Sequence, residues 1–210
     1  RHRASHLRRT RTMEERRTLD KESQASIEGG VQLSREKLVA LEPGLRGWRG
    51  KLFDMRLSLG SGQKLTAFEV SQEHLRFGDV GPALVISTAP LRVAAYANEI
   101  DAIIMLAFPD ALASELDEGD RLIAVCTYAP MQEDGYARDL IPGPNSSGQF
   151  SNAAPLIADF LSEDTRKLDT HRRFGVLEEE WEHVARLAAQ YRDYFGERAR
   201  NGLPIATCFS

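Results

Sequence analysis

The chain has 210 residues, of which 42% are hydrophobic and 28% charged, so it is long enough for one well-buried domain and too ordinary in composition for a fibrous or wholly disordered protein. Its net charge of -4 is uneven. Five of the 27 Lys and Arg fall in residues 1–12, which hold no acid, leaving 22 against 31 and a charge of -9 on the rest. That balance disfavours nucleic-acid binding except through the leader, and the longest apolar run, 102–108, is too short to span a bilayer.

Residues 1–30 are polar and lack a periodic apolar stripe, so they read as a flexible arm ahead of a single domain at 31–210. Residues 1–12 differ in charge from the segment opening at Met13 and read either as a remnant of cloning or as sequence upstream of the native start. The Arg8-Arg9 pair has no apolar stretch after it, which argues against an export signal. Ser34 is placed to cap a helix through Leu41, stopped by Pro43 and Gly44. Trp48 lies among glycines and reads as an anchor on the edge of the core.

Alternation at 51–59 directs Phe53, Met55, Leu57 and Leu59 to one face, and 64–70 reads as the returning strand of a hairpin with Phe68 and Val70 inward. The intervening Gly60-Ser61-Gly62 lacks the helix and Lys-Ser/Thr pair of a phosphate loop, so it is expected to be a turn. Residues 71–82 are expected to form a short helix or loop that Gly81 and Pro82 break. Strands are then expected at 83–88, 91–97, 102–108 and 121–128, the richest apolar and β-branched part of the chain. The acids Glu115, Asp117, Glu118 and Asp120 lack the order of a calcium loop and read as a solvated turn.

Residues 129–152 change in character, with Pro142 and Pro144 around Gly143 and several Ser and Asn. A connection of that length suits either a functional loop or a surface insertion. Pro155 is read as the first turn of a helix capped by Asn152 and running to Leu161, and 162–173 as a further short helix on the surface. Trp181, Val184, Ala188, Tyr191 and Phe195 recur at spacings of three and four, which predicts a long amphipathic helix. Glu178 to Glu180 suit its first turn, Arg198 and Arg200 its last, and Asn201-Gly202 its C-terminal cap.

The fold class expected from these elements is α+β: a largely antiparallel, mixed sheet of about six strands covered by the long C-terminal helix and shorter ones. Two scattered cysteines, Cys126 and Cys208, form no disulfide framework and point to a reducing, cytoplasmic setting. No nucleophile elbow, phosphate loop, dinucleotide fingerprint or zinc-protease motif is present, and Glu179 with His183 is too little for a metal, so neither cofactor nor metal is expected.

Two functions follow from different classes. The first is a non-catalytic interaction or regulatory domain with another protein as partner, favoured because no catalytic pattern is found. The second is a small-molecule binder or enzyme that uses 129–152 as a lid, with His74, Asp134, Tyr136, Arg138 and Asp139 as the ligand-binding candidates.

Overall fold

Strand β3, Asp79–Thr88, is the element to which the others attach in the computed structural model, which describes residues 27–45, 57–58 and 64–208. On one side it pairs antiparallel with β4 (Leu91–Ala97), reached through a turn at Ala89–Pro90, and β4 pairs antiparallel with β5 (Ala102–Ala107). On the other side β3 pairs antiparallel with β6 (Arg121–Pro130), which pairs with β7 (Phe150–Ile157). A two-residue strand, β8 (Arg200–Asn201), adds to β5 in parallel, giving the order β7-β6-β3-β4-β5-β8. The chain is therefore α+β, with a six-stranded mixed sheet, as the sequence predicts.

Burial on both faces of β4 and β5 has two sources. Helix α4 (Glu178–Phe195) lies on β3, β4 and β5, sealing one face with Trp181, Val184, Ala188 and Tyr191. Curling of the sheet brings β6 and β7 within contact of β4 on the other. Apolar side chains removed from water on both sides supply the main driving force for this arrangement. The curl also brings the two sheet edges together: Arg200 on β8 donates from Nη1 to the Ala153 carbonyl (2.9 Å) and to Asn152 Oδ1 (2.9 Å) on β7.

Among the described residues, four shorter α-helices complete the layers. Helix α1 (Arg35–Leu41) is capped by Ser34, whose Oγ accepts from the Lys37 amide, and buries Leu38 and Leu41. Helix α2 (Ala67–Phe77) packs on β6, and α3 (Thr165–Thr170), capped by Asp164, continues into a π-turn at His171–Gly175. Helix α5 (Pro204–Cys208) leans on α2 and β7.

Several expected elements are corrected. The hairpin is present, with β1 (Leu57–Ser58) antiparallel to β2 (Lys64–Leu65), but the second strand ends at Leu65 and 67–77 is helix. Thr66 and Glu69 form a reciprocal capping box that starts α2, and its inward face is Val70, Ser71, His74 and Leu75. Two of those four are polar, so the helical period is invisible to a search for apolar residues. Phe53, Met55 and Trp48 lie outside the described residues.

Pro82 does not break the chain. It sits within β3, and the pairing with β4 starts at Ala83, one residue past the missing N–H. Pro155 likewise sits in a strand, not a helix: it belongs to β7, at a sheet edge where a proline leaves no inner ladder bond unmade. Helix α4 ends at Phe195, where Gly196 takes φ 61 and its amide bonds to the Arg192 carbonyl, so Asn201-Gly202 is not the cap and Arg198 and Arg200 lie beyond the helix. The long loop narrows to 131–149 because β6 and β7 extend into it. Upstream, Val80 donates to the Ile27 carbonyl, Gly29 to Gly78 and Gly30 to Arg76, so the chain from Ile27 is tied to the body.

Candidate functional site

The seam where β7 approaches β8 opens into a cleft of about 380 Å³. Its walls come from β6 (Thr127, Tyr128, Ala129), β7 (Asn152 to Pro155), β5 and β8 (Leu106, Arg200, Asn201) and α5 (Ala206, Thr207), with His74 of α2 among them. Each element presents these side chains for a local reason. Strand periodicity alternates Thr127 and Ala129 against Tyr128, and the inward face of α2 delivers His74.

His74 is 2% exposed and donates from Nε2 to the Val125 carbonyl at 2.8 Å. A carbonyl only accepts, so the proton resides on Nε2. Burial pushes the imidazole down to about 4, against the opposing effect of its backbone partners Val125 and Ala154. A neutral ring bonded this way fastens α2 to the sheet, and at Nε2 it is not a base.

The sign of its pH effect is fixed by that depression. Between about pH 6.5 and 4 the unfolded chain binds a proton at His74 that the folded chain does not, so stability falls as pH drops through this window and levels below it. The loss amounts to on the order of 3 kcal/mol. His74→Gln is expected to reduce this slope, leaving the share of His171, which burial also holds low, as measured by urea denaturation from pH 7 to pH 4; an unchanged slope would contradict the assignment.

Arg200 spans the mouth of the seam. Besides the two bonds to β7, its Nε and Nη2 donate to the two oxygens of Asp139, each at 2.6 Å. Four of five guanidinium N–H groups are thereby engaged. Burial pushes the Asp139 carboxyl up, but Arg200 outweighs it and holds the group below its usual range. Tyr128 donates to Asp79 Oδ2 (3.1 Å), which also accepts from Asn98 Nδ2 (2.9 Å), and burial drives the phenol well above its ordinary value. Burial also pushes the Cys126 thiol far up, so it is inert as a nucleophile.

Of the five candidates read from sequence, His74 lines the cleft and Asp139 reaches it through Arg200. Asp134 and Arg138 are exposed, and the Tyr136 hydroxyl lies 3.1 Å from Ser146 Oγ within the loop. No residue of 131–149 forms a wall of the cleft. Instead the loop is tied to the β4–β5 turn: Gly143 donates to the Asp101 carbonyl (3.0 Å), Asn145 to Asp101 Oδ2 (3.0 Å) and Ser147 to the Glu99 carbonyl (2.9 Å).

Thr127, Asn152, Arg200 and Thr207 were missed by sequence reasoning. Arg200 looked like a helix-terminal cation and Asn152 like a helix cap, and only the β7 pairing reveals otherwise. Among the described residues no group of three or more His, Cys, Asp or Glu converges to hold a metal, and no helix is long and apolar enough to cross a membrane. Comparison with known protein families, curated proteins and solved structures gives no match.

Proposed function

We propose that this chain is a small-molecule-binding domain whose ligand lies in the seam between β7 and β8. The observation that carries this reading is the cleft itself: about 380 Å³, in the size range of metabolite sites, at the mouth of a curled sheet. Its walls combine Leu106, Ala153, Ala154, Pro155 and Ala206 with a few polar groups, the mixture expected of a site that gains affinity from apolar contact and orientation from hydrogen bonds. Among the described residues the Asn152 Nδ2 group and the Thr127 hydroxyl make no hydrogen bond, and with the fifth Arg200 N–H they supply mainly donors. The ligand that fits is largely apolar and carries a carbonyl or carboxylate oxygen.

The interaction reading favoured by the sequence has its own support. Phe174 (81% exposed) and Leu177 (64%) flank the entry to α4, where large apolar side chains in water mark a docking surface. One experiment separates the two. Native mass spectrometry of protein expressed near its natural level is expected to show a bound small molecule, released on denaturation and lost in Ala206→Phe, which fills the cleft. A stoichiometric protein partner, lost in Phe174→Ser/Leu177→Ser but kept in Ala206→Phe, would establish the interaction role instead.

A further inference from the structure

A second cleft, of about 360 Å³, lies at the other end of α4, between its C-terminus and the tip of the β3–β4 hairpin. Arg92 on β4, Arg192 in the last turn of α4 and Arg198 just beyond it all line this cleft, together with the rim acids Glu118 and Glu197. None of the three arginines is ion-paired among the described residues, although the chain pairs Arg121, Arg172 and Arg200 with carboxylates elsewhere. Arg92 is the most telling. It is half-buried, and among the described residues its Nη1 donates only to the Leu91 carbonyl (3.2 Å) and its shielded Nε has no acceptor. Shielding a cationic N–H without an acceptor is unfavourable, and folds retain such a group where something else completes it.

We propose that this cleft binds the phosphoryl group of a small phosphorylated molecule. Three arginines contributed by three different segments line the space, which suits an anion with three terminal oxygens; a carboxylate, planar with two oxygens, saturates on one guanidinium. Glu118 and Glu197 reduce the local charge from three positive to one, so that chloride and other simple anions are held weakly while a phosphate carrying about -1.5 to -2 is held well. Their carboxylates also offer acceptors to hydroxyl groups on the remainder of the ligand, against an apolar wall of Ile86, Pro90 and Met105. This site is separate from the β7–β8 seam and does not depend on it.

The test is titration of the full chain with inorganic phosphate, and with chloride at matched ionic strength, followed through the Arg Nε–H resonances in ¹⁵N-edited NMR. Phosphate is expected to bind saturably and to move the Arg92 Nε–H signal as it gains an acceptor, while chloride does not. Arg92→Gln should weaken binding about tenfold or more. Arg192→Gln/Arg198→Gln, altered only at exposed positions and so folded even if Arg92→Gln is not, should do the same, and Ala206→Phe should leave binding unchanged. Absence of saturable binding, a response equal to that of chloride, or unchanged affinity in the double variant overturns the assignment.

Discussion

Replacing Asp101 by Ala is expected to cost about 3–5 kcal/mol of folding stability, because it strands three donors at the junction of the β4–β5 turn, the 131–149 loop and α4. Asp101 is fully buried, and its carboxylate accepts from the Tyr96 hydroxyl (2.6 Å), His183 Nε2 (3.0 Å) and the Asn145 amide (3.0 Å). Arg186 lies 3.4 Å from His183 Nδ1 and can only donate there, which leaves the ring proton on Nε2 to face Asp101. The backbone adds to the demand: Asp101 holds φ 53, a conformation Asp and Asn tolerate better than Ala. Gly143 is held just as tightly, since a Cβ there would stand 2.2 Å from Asp101 Oδ2.

Asp101→Asn, which keeps the φ preference and one acceptor, should lose less than Asp101→Ala, and Asp101→Gly should fall between them by relieving the backbone alone. Urea denaturation gives the order. Hydrogen exchange at the amides of Gly143 and Asn145 should accelerate in all three. A loss under about 0.5 kcal/mol for Asp101→Ala, the range of an ordinary surface substitution, would show that the junction is not held by this carboxylate.

Acid unfolding should separate this network from His74. Burial pushes the Asp101 carboxyl up, but the bonds from Tyr96, His183 and Asn145 outweigh it and keep the group below its ordinary value. The stability it contributes is therefore full above the usual carboxylate range and is lost as pH falls through the lower folded value. His74, depressed to about 4, loses its contribution earlier, on the way down from about pH 6.5. Two phases are thus expected, the first reduced by His74→Gln, with burial-depressed His171 supplying the remainder, and the second reduced by Asp101→Asn.

How far these features can be read from the residues depends on what local pattern records. Strands β4, β5 and β6 announce themselves through apolar, β-branched runs, and α4 through the 3-4 spacing of Trp181 to Phe195. Helix α2 stays hidden because Ser71 and His74 occupy inward positions, and its one local signature is the Thr66–Glu69 capping box. Strand β7 is hidden because Pro155 fits a helix start as well as an edge strand, and only the length of β6 beside it decides. For the site, His74 could be suspected from its residue type. Its meeting with Arg200 cannot be read locally, since the two are brought together by the curl of a sheet whose first and last strands lie far apart in sequence.

That curl makes Arg200 the second residue whose loss should be severe. The outward-facing backbone of β7 is the kind of open strand edge that recruits other chains. The Ser151 carbonyl is taken by the Ala137 amide, the Ala153 carbonyl by Arg200, and Pro155 has no N–H to offer, so these odd-numbered positions face away from β6 and are each silenced differently. Arg200→Met withdraws the guanidinium, leaves Asp139 half-buried without its partner, frees the Ala153 carbonyl and takes from Asn152 Oδ1 one of its two donors. Breaking a partly buried pair of this kind should cost about 2–4 kcal/mol. It should also expose the edge, seen as concentration-dependent association in light scattering. Arg200→Lys keeps the charge but cannot reach Asp139 and β7 with one planar fork, so an intermediate loss follows. Arg200→Met/Asp139→Asn, which removes the stranded carboxylate, should recover part of the stability but none of the edge protection. If the double variant regains both, the guanidinium serves only to neutralise Asp139 and the sheet edges are held together by other contacts.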